Sequence, residues 1–181
     1  LELKRHFGID WLVFPATALE IWDVANRQLA QPDFTASGIL KKFRVESHRK
    51  TDDPADDLSS HAAIAANPAI ATKVLPTFRP DKAMKLSDPE AVRSWCGRLT
   101  QSSGTDTTTF AGFLEALRSR HDFLHRTGCR LSDHGLEACP SDFASEAEAV
   151  RIFEKARHGT APTPGTVTAS ISRSIRSRPT C

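Results

Sequence analysis

The chain has 181 residues and four cysteines, Cys96, Cys129, Cys139 and Cys181, and no two of them have Cys-x-x-Cys spacing. A zinc or redox site usually shows that spacing, so reduced and mostly buried thiols are expected instead. No run of 18 apolar residues exists, which leaves no candidate for a spanning helix. There is no Gly-rich phosphate loop, no Gly-x-Ser-x-Gly elbow and no aromatic-basic RNA motif. The start, LELKRHFGIDW, lacks the apolar h-region and small-residue cleavage site of a signal peptide. A cytoplasmic protein with no membrane partner is therefore expected. An initiator Met is also missing, so the chain is expected to begin inside a longer protein.

Acidic charge is absent from one region. All 22 Asp and Glu residues precede Gly159, and the last 23 residues carry only Arg173, Arg176 and Arg178. The formal net charge of +2 is too small to argue for nucleic acid, and its positive excess sits in this tail. The tail, GTAPTPGTVTASISRSIRSRPTC, has four Ser, five Thr and three Pro but no aromatic residue or helical stripe. It is expected to be disordered or poorly packed.

What is present before the tail is periodic. Residues 16–31 predict an amphipathic helix through Leu19, Trp22, Ala25 and Leu29, ended by Pro32. A short helix is expected over 35–42 and a poor strand over 43–48, FRVESH. Pro54, capped by Asp52 or Asp53, starts a helix running to about Ala66. A short strand at 72–78, TKVLPTF, leads into the loop FRPDK. Ser87 and Glu90 have capping-box spacing ahead of Val92, Trp95 and Leu99. The clearest helix spans 109–127, with the stripe Phe110, Phe113, Leu114, Leu117 and Leu124 and Gly128 as its stop. Cys129 to Leu131 reads as a strand with SDHG as its exit. Ser145 and Glu148 open a last helix, with Val150, Ile152 and Phe153 as its apolar residues and Gly159 as its stop. Strands alternating with longer helices predict α/β architecture around a parallel sheet.

Three polar clusters follow the predicted strands: Thr51-Asp52-Asp53-Pro54, Thr77-Phe78-Arg79-Pro80-Asp81 and Ser132-Asp133-His134-Gly135. In parallel α/β folds the carboxyl ends of the strands open on one face, where ligands bind. Asp52, Arg79 and the Asp133-His134 pair are therefore expected at one rim. Each also has a bland reading, as a helix cap, a loop ion pair or a turn. His61 is expected on the surface or in the core. His121 and His125 share helical metal spacing, but Asp122 between them is not the glutamate of the metalloprotease motif.

Several stretches together resemble the uronate isomerase (glucuronate isomerase) family. They are LELKRHFGID at 1–10, LAQPDFTASGILKKF at 29–43, TDDPADDL at 51–58, VLPTFRPDKA at 74–83, ALRSRHDFLHRTGCRLSDHGLE at 116–137 and SEAEAVRIFEKARHG at 145–159. The resemblance implies a fragment of a (β/α)8 TIM barrel of the amidohydrolase superfamily. It would comprise about strands 2 to 4 over residues 43–158, preceded by a helical insertion at 1–42. The implied activity is aldose–ketose isomerisation of D-glucuronate to D-fructuronate and of D-galacturonate to D-tagaturonate, with a small-molecule uronate as partner. On this basis Asp133 and His134 are expected to be catalytic, and Arg79, Asp52 and Asp53 to bind substrate. The family's His-x-His metal pair and its distant Asp ligand have no counterpart here. No cofactor is therefore expected on this fragment, although a divalent metal such as zinc is implied for full-length members. The chain by itself is expected to be inactive, and residues 159–181 to be an out-of-frame tail. Metal-dependent hydrolysis and a non-catalytic fragment are the alternative readings. Nothing in the sequence fixes the oligomeric state.

Overall fold

The computed structural model describes residues 2–135 and 144–159. Among them the chain forms two compact units, one of residues 2–48 with Asn67–Lys73, the other of Arg49–Ala66 with 74–135 and 144–159. The tail beyond Gly159, Cys139 and Cys181 lie outside the described residues.

The first unit is helical: α1 (Glu2–Phe7), α2 (Ala18–Leu29) and α3 (Ala36–Lys42). Thr35 caps α3 by accepting the Gly38 N–H at 3.1 Å. A Cβ on Gly38 would lie 1.8 Å from the Asp33 carbonyl oxygen, so only glycine lets the helix start this close to the preceding turn. The buried face of α2 differs from the expected stripe. Leu19 and Trp22 are 78% and 68% exposed, and Ile21 is buried instead. The helix meets α1 on that other face, where Gln28 Nε2 donates to the Phe7 carbonyl at 2.7 Å.

The second unit holds β1 (Ser47–Asp52) and β2 (Lys73–Phe78), whose first residues belong to the first unit. The strands pair in parallel, with the Lys73 N–H on the Glu46 carbonyl and the Arg79 N–H on that of Asp52. A parallel bridge between Phe78 and Ser132 adds residues 131–133 on the far side of β2. The first strand begins four residues later than its apolar residues suggested. Phe43 closes α3 instead, and the Val45 N–H returns to the Leu40 carbonyl. The charged SHRKTD is tolerated as a strand because all of it but Asp52 is at least partly exposed.

The helix expected from Pro54 also shortens, to α4 (Ser59–Ala65). Asp53 Oδ1 accepts the Ala55 N–H and Asp57 Oδ1 accepts the Ser59 N–H, both at 2.9 Å. These local side-chain turns compete with helix over 53–57. Leu58 then takes a left-handed backbone, φ 59°, which a branched side chain rarely adopts. FRPDK, expected as loop, carries the single turn α5 (Asp81–Met84).

The core lies among α6 (Pro89–Ser103), α7 (Phe110–Arg126) and α8 (Glu146–His158). Asp88, rather than Ser87, caps α6 by accepting the N–H groups of Glu90 and Ala91, with Pro89 at the first helical position. Ser145 caps α8 as expected, and Gly159 ends it at φ 94°. Val92, Trp95, Cys96 and Leu99 of α6 face Phe110, Phe113 and Leu117 of α7 and Ala149, Phe153 and Ala156 of α8. The rings of Phe113 and Phe153 sit 4.8 Å apart. Each such phenylalanine contributes about 1.5–3 kcal/mol by burial. Cys96 and Cys129 are buried free thiols, and burial pushes the Cys96 thiol above its usual range. Among the described residues no helix is long and apolar enough to cross a membrane.

Candidate functional site

The three polar clusters meet where β1, β2 and residues 131–133 end. Arg79 directly follows β2, and Asp133 follows the residue bridged to Phe78. The Arg79 guanidinium grips the Asp133 carboxylate with two bonds, Nε to Oδ1 at 3.1 Å and Nη2 to Oδ2. This fork-on-carboxylate geometry fixes the plane of both groups. The hydrogen bond and charge of Asp133 hold the already high pKa of Arg79 higher still. Thr51 Oγ1 is 3.5 Å from Asp133 Oδ2. Arg79 remains 37% exposed, and its Nη1 makes no hydrogen bond among the described residues. The site therefore presents a fixed cation with donors to spare.

Beside it, Asp81 gathers the next two residues of the SDHG segment. Its Oδ1 lies 3.0 Å from His134 Nδ1, and its Oδ2 accepts the Gly135 N–H at 2.8 Å. Arg79 also lies near Asp81, but at 3.8 Å that contact is long and secondary to Asp133.

The two aspartates after β1 part ways. Asp52 reaches the rim through its backbone, where its carbonyl accepts the Arg79 N–H at 3.1 Å. Its carboxylate is buried, 2% exposed, and engages Lys50 Nζ on one oxygen and His61 Nε2, at 2.9 Å, on the other. The other ring nitrogen of His61, Nδ1, is 3.3 Å from the Val74 carbonyl. His61 thus ties α4 to both strands, a role its sequence position did not announce. Asp53, expected to bind substrate, turns to α6 instead. Its carboxylate accepts Trp95 Nε1 at 2.9 and 3.1 Å and pairs with Lys82 at 2.9 Å and Arg98 at 3.5 Å. A cavity of about 580 Å³ opens beside the buried pair, lined by Lys50, Asp52, Ser59, His61, Arg98 and Gln101 among others.

The donors of the described residues do not suit a metal. Among the described residues no group of three or more His, Cys, Asp or Glu side chains converges on one point. The carboxylate nearest the rim's centre is already filled by a guanidinium. His121 packs edge-on against Phe78 at 5.2 Å, and the ring of His125 has Arg130 Nη1 3.3 Å away, a cation where a second one would be repelled.

Comparison with known proteins agrees with the residue pattern. A family model for glucuronate isomerase matches residues 1–175. The uronate isomerase of Solibacter usitatus is 53% identical over 163 residues, covering 90% of this chain and 35% of that protein. The uronate isomerase of Bacteroides thetaiotaomicron is 43% identical over 159 residues, covering 88% and 34%. The crystal structure of uronate isomerase from Thermotoga maritima superposes with a TM-score of 0.76 at 32% identity, covering 93% of this chain and 37% of that one. That of glucuronate isomerase from Caulobacter crescentus gives 0.80 at 25% identity, covering 96% and 36%. The chain thus spans about a third of the length of the relatives it matches. With a family model matched over residues 1–175, the chain belongs to the glucuronate isomerase family.

Proposed function

We propose that this chain supplies the carboxylate-binding rim of a uronate isomerase, an enzyme that interconverts D-glucuronate with D-fructuronate and D-galacturonate with D-tagaturonate. On this reading β1, β2 and residues 131–133 correspond to strands 2 to 4 of a (β/α)8 barrel, and residues 1–42 to a helical insertion. The observation that carries the proposal is the Arg79–Asp133 fork at adjacent strand ends, with Arg79 Nη1 left over for a ligand. A guanidinium so held binds a second carboxylate without first paying the entropy of being ordered.

The isomerisation moves a proton between C2 and C1 and shifts the carbonyl from C1 to C2, with no net redox change. It needs a group that accepts and returns a proton and a donor for the oxygen that gains charge. His134 is suited to the first task, with Nδ1 anchored on Asp81 and the ring 37% exposed. Asp133 orients Arg79 and is the carboxylate closest to the bound acid end of the sugar. Asp52 and Asp53, whose carboxylates are already filled, act on the site by fixing its backbone.

The test is a graft. Residues 1–159 replace the matching stretch of the Solibacter usitatus enzyme, and ketose formation from glucuronate is assayed. The graft is expected to be active, and Arg79→Lys within it to lose about 100-fold in kcat/KM, because lysine cannot reproduce a planar, two-bond grip. The chain alone is expected to form no ketose. A graft indifferent to Arg79→Lys, or hydrolysis of lactones in place of isomerisation, would refute the proposal.

A further inference from the structure

Arg120 sits on the apolar side of α7 and is 5% exposed. No carboxylate touches it among the described residues, and its donors go to three backbone carbonyls. Nε donates to Pro54 at 2.7 Å, Nη2 to Asp56 at 2.6 Å and Nη1 to Ser102 at 3.0 Å. Its guanidinium lies over the Phe123 ring, 4.0 Å from the centroid. Burial lowers its pKa from the usual guanidinium value, and the nearby charge of Asp56 works in the opposite sense. A buried cation is costly unless its donors are met, and a leucine or methionine would fill the same space at lower cost. What only a guanidinium supplies is a rigid fork that meets several carbonyls at once.

Two of those carbonyls belong to residues 53–57, and the third ends α6. The same loop is held at its start by the Asp53 bonds to Trp95, Lys82 and Arg98. It follows directly on Asp52, whose carbonyl accepts the Arg79 N–H. A change in the loop is therefore passed through one hydrogen bond to the residue at the centre of the rim.

We infer that Arg120 is a positioning residue, which fixes the 53–57 loop and through Asp52 sets the place of Arg79. The inference rests on reading the Arg79 rim as the seat of a uronate. If Arg120 served packing alone, Arg120→Met would suffice, and if charge alone, Arg120→Lys.

The test uses the chain itself, uniformly nitrogen-labelled for NMR. In the native protein the Arg120 Nε–H and the amides of Asp53, Ala55, Asp56 and Asp57 are expected to exchange with solvent together, as one opening unit. Rates that differ by more than about tenfold would overturn the inference. Arg120→Lys is expected to speed exchange in 53–57 by about tenfold or more, as the loss of charged hydrogen bonds implies. The α8 amides should stay unchanged and the Trp95 indole N–H should shift. Glucuronate is then titrated against the Arg79 Nε–H signal. A weaker response in Arg120→Lys than in the wild type supports the inference. Equal responses, with 53–57 undisturbed, sink it. If the wild type gives no response while the loop still answers to Arg120→Lys, the uronate reading falls and the positioning of the loop stands. Should Arg120→Lys fail to fold, the native exchange comparison decides.

Discussion

Two adjacent groups of charged residues use the same chemistry in opposite ways. At the rim, Arg79 pairs with one carboxylate and stays 37% exposed. A few residues away, the Asp52 and Asp53 carboxylates are 2% and 12% exposed and satisfied by His61, Lys50, Trp95, Lys82 and Arg98. Exposure and spare donors, not residue type, separate a surface that can take a ligand from one that holds the fold. Among the described residues no buried side-chain nitrogen or oxygen lacks a partner.

The sharpest test of that contrast is the buried Asp52–His61 pair. His61→Phe removes one partner and leaves Asp52 buried against Lys50 alone. Breaking such a pair is expected to destabilise by about 3 kcal/mol, read as a fall in the urea midpoint. Arg79→Lys should leave that midpoint where it is. Equal losses from the two substitutions would erase the distinction between a closed and an open group.

The sequence carried the rim because strand-end polar clusters have a fixed place in parallel α/β architecture, and TFRPD and LSDHG mark two of them. It carried less of what feeds the rim. The Asp52 and Asp53 carboxylates part, one toward His61 and the other toward Trp95, as neighbouring side chains on an extended chain tend to. Arg120 stands three residues after Leu117 and four before Leu124, on the stripe itself. A charged residue inside a helical stripe was the signal for a buried clamp. Two failures have a different source. The start of β1 is set by backbone pairing with β2, which the polar SHRKTD does not encode in its side chains. Which face of α2 is buried depends on where α1 lies, and periodicity gives a stripe without naming its partner.

Within the closed group a second, smaller effect is expected at Asp53. Asp53→Ala removes the acceptor for the Trp95 indole and the anion between Lys82 and Arg98. Its cost should be about 2 kcal/mol, that of a charge-assisted hydrogen bond in a half-buried setting. The fluorescence of Trp95 should change with it, while glucuronate binding at Arg79 changes only as far as the loop moves. A double variant with Arg120→Lys should cost less than the two singles added, because both side chains hold one segment.

The smallest effect is expected where carboxylates are bonded but fully open to water. Asp57 and Asp106 are held below the usual aspartate range. Asp57 owes this first to the Ser59 backbone N–H and then to the Ser59 hydroxyl, and Asp106 first to the Thr108 hydroxyl and then to its N–H. A folded-state pKa below the unfolded one stabilises above the unfolded value, about 3.9 for Asp. That contribution is lost as the pH falls through the lower folded values. Stability from these two turns should therefore be level between pH 7 and about pH 5 and decline below about pH 4. Asp57→Asn with Asp106→Asn should flatten that acid limb of the urea midpoint. If the limb keeps its slope in the double variant, the carboxylates that govern acid unfolding are elsewhere.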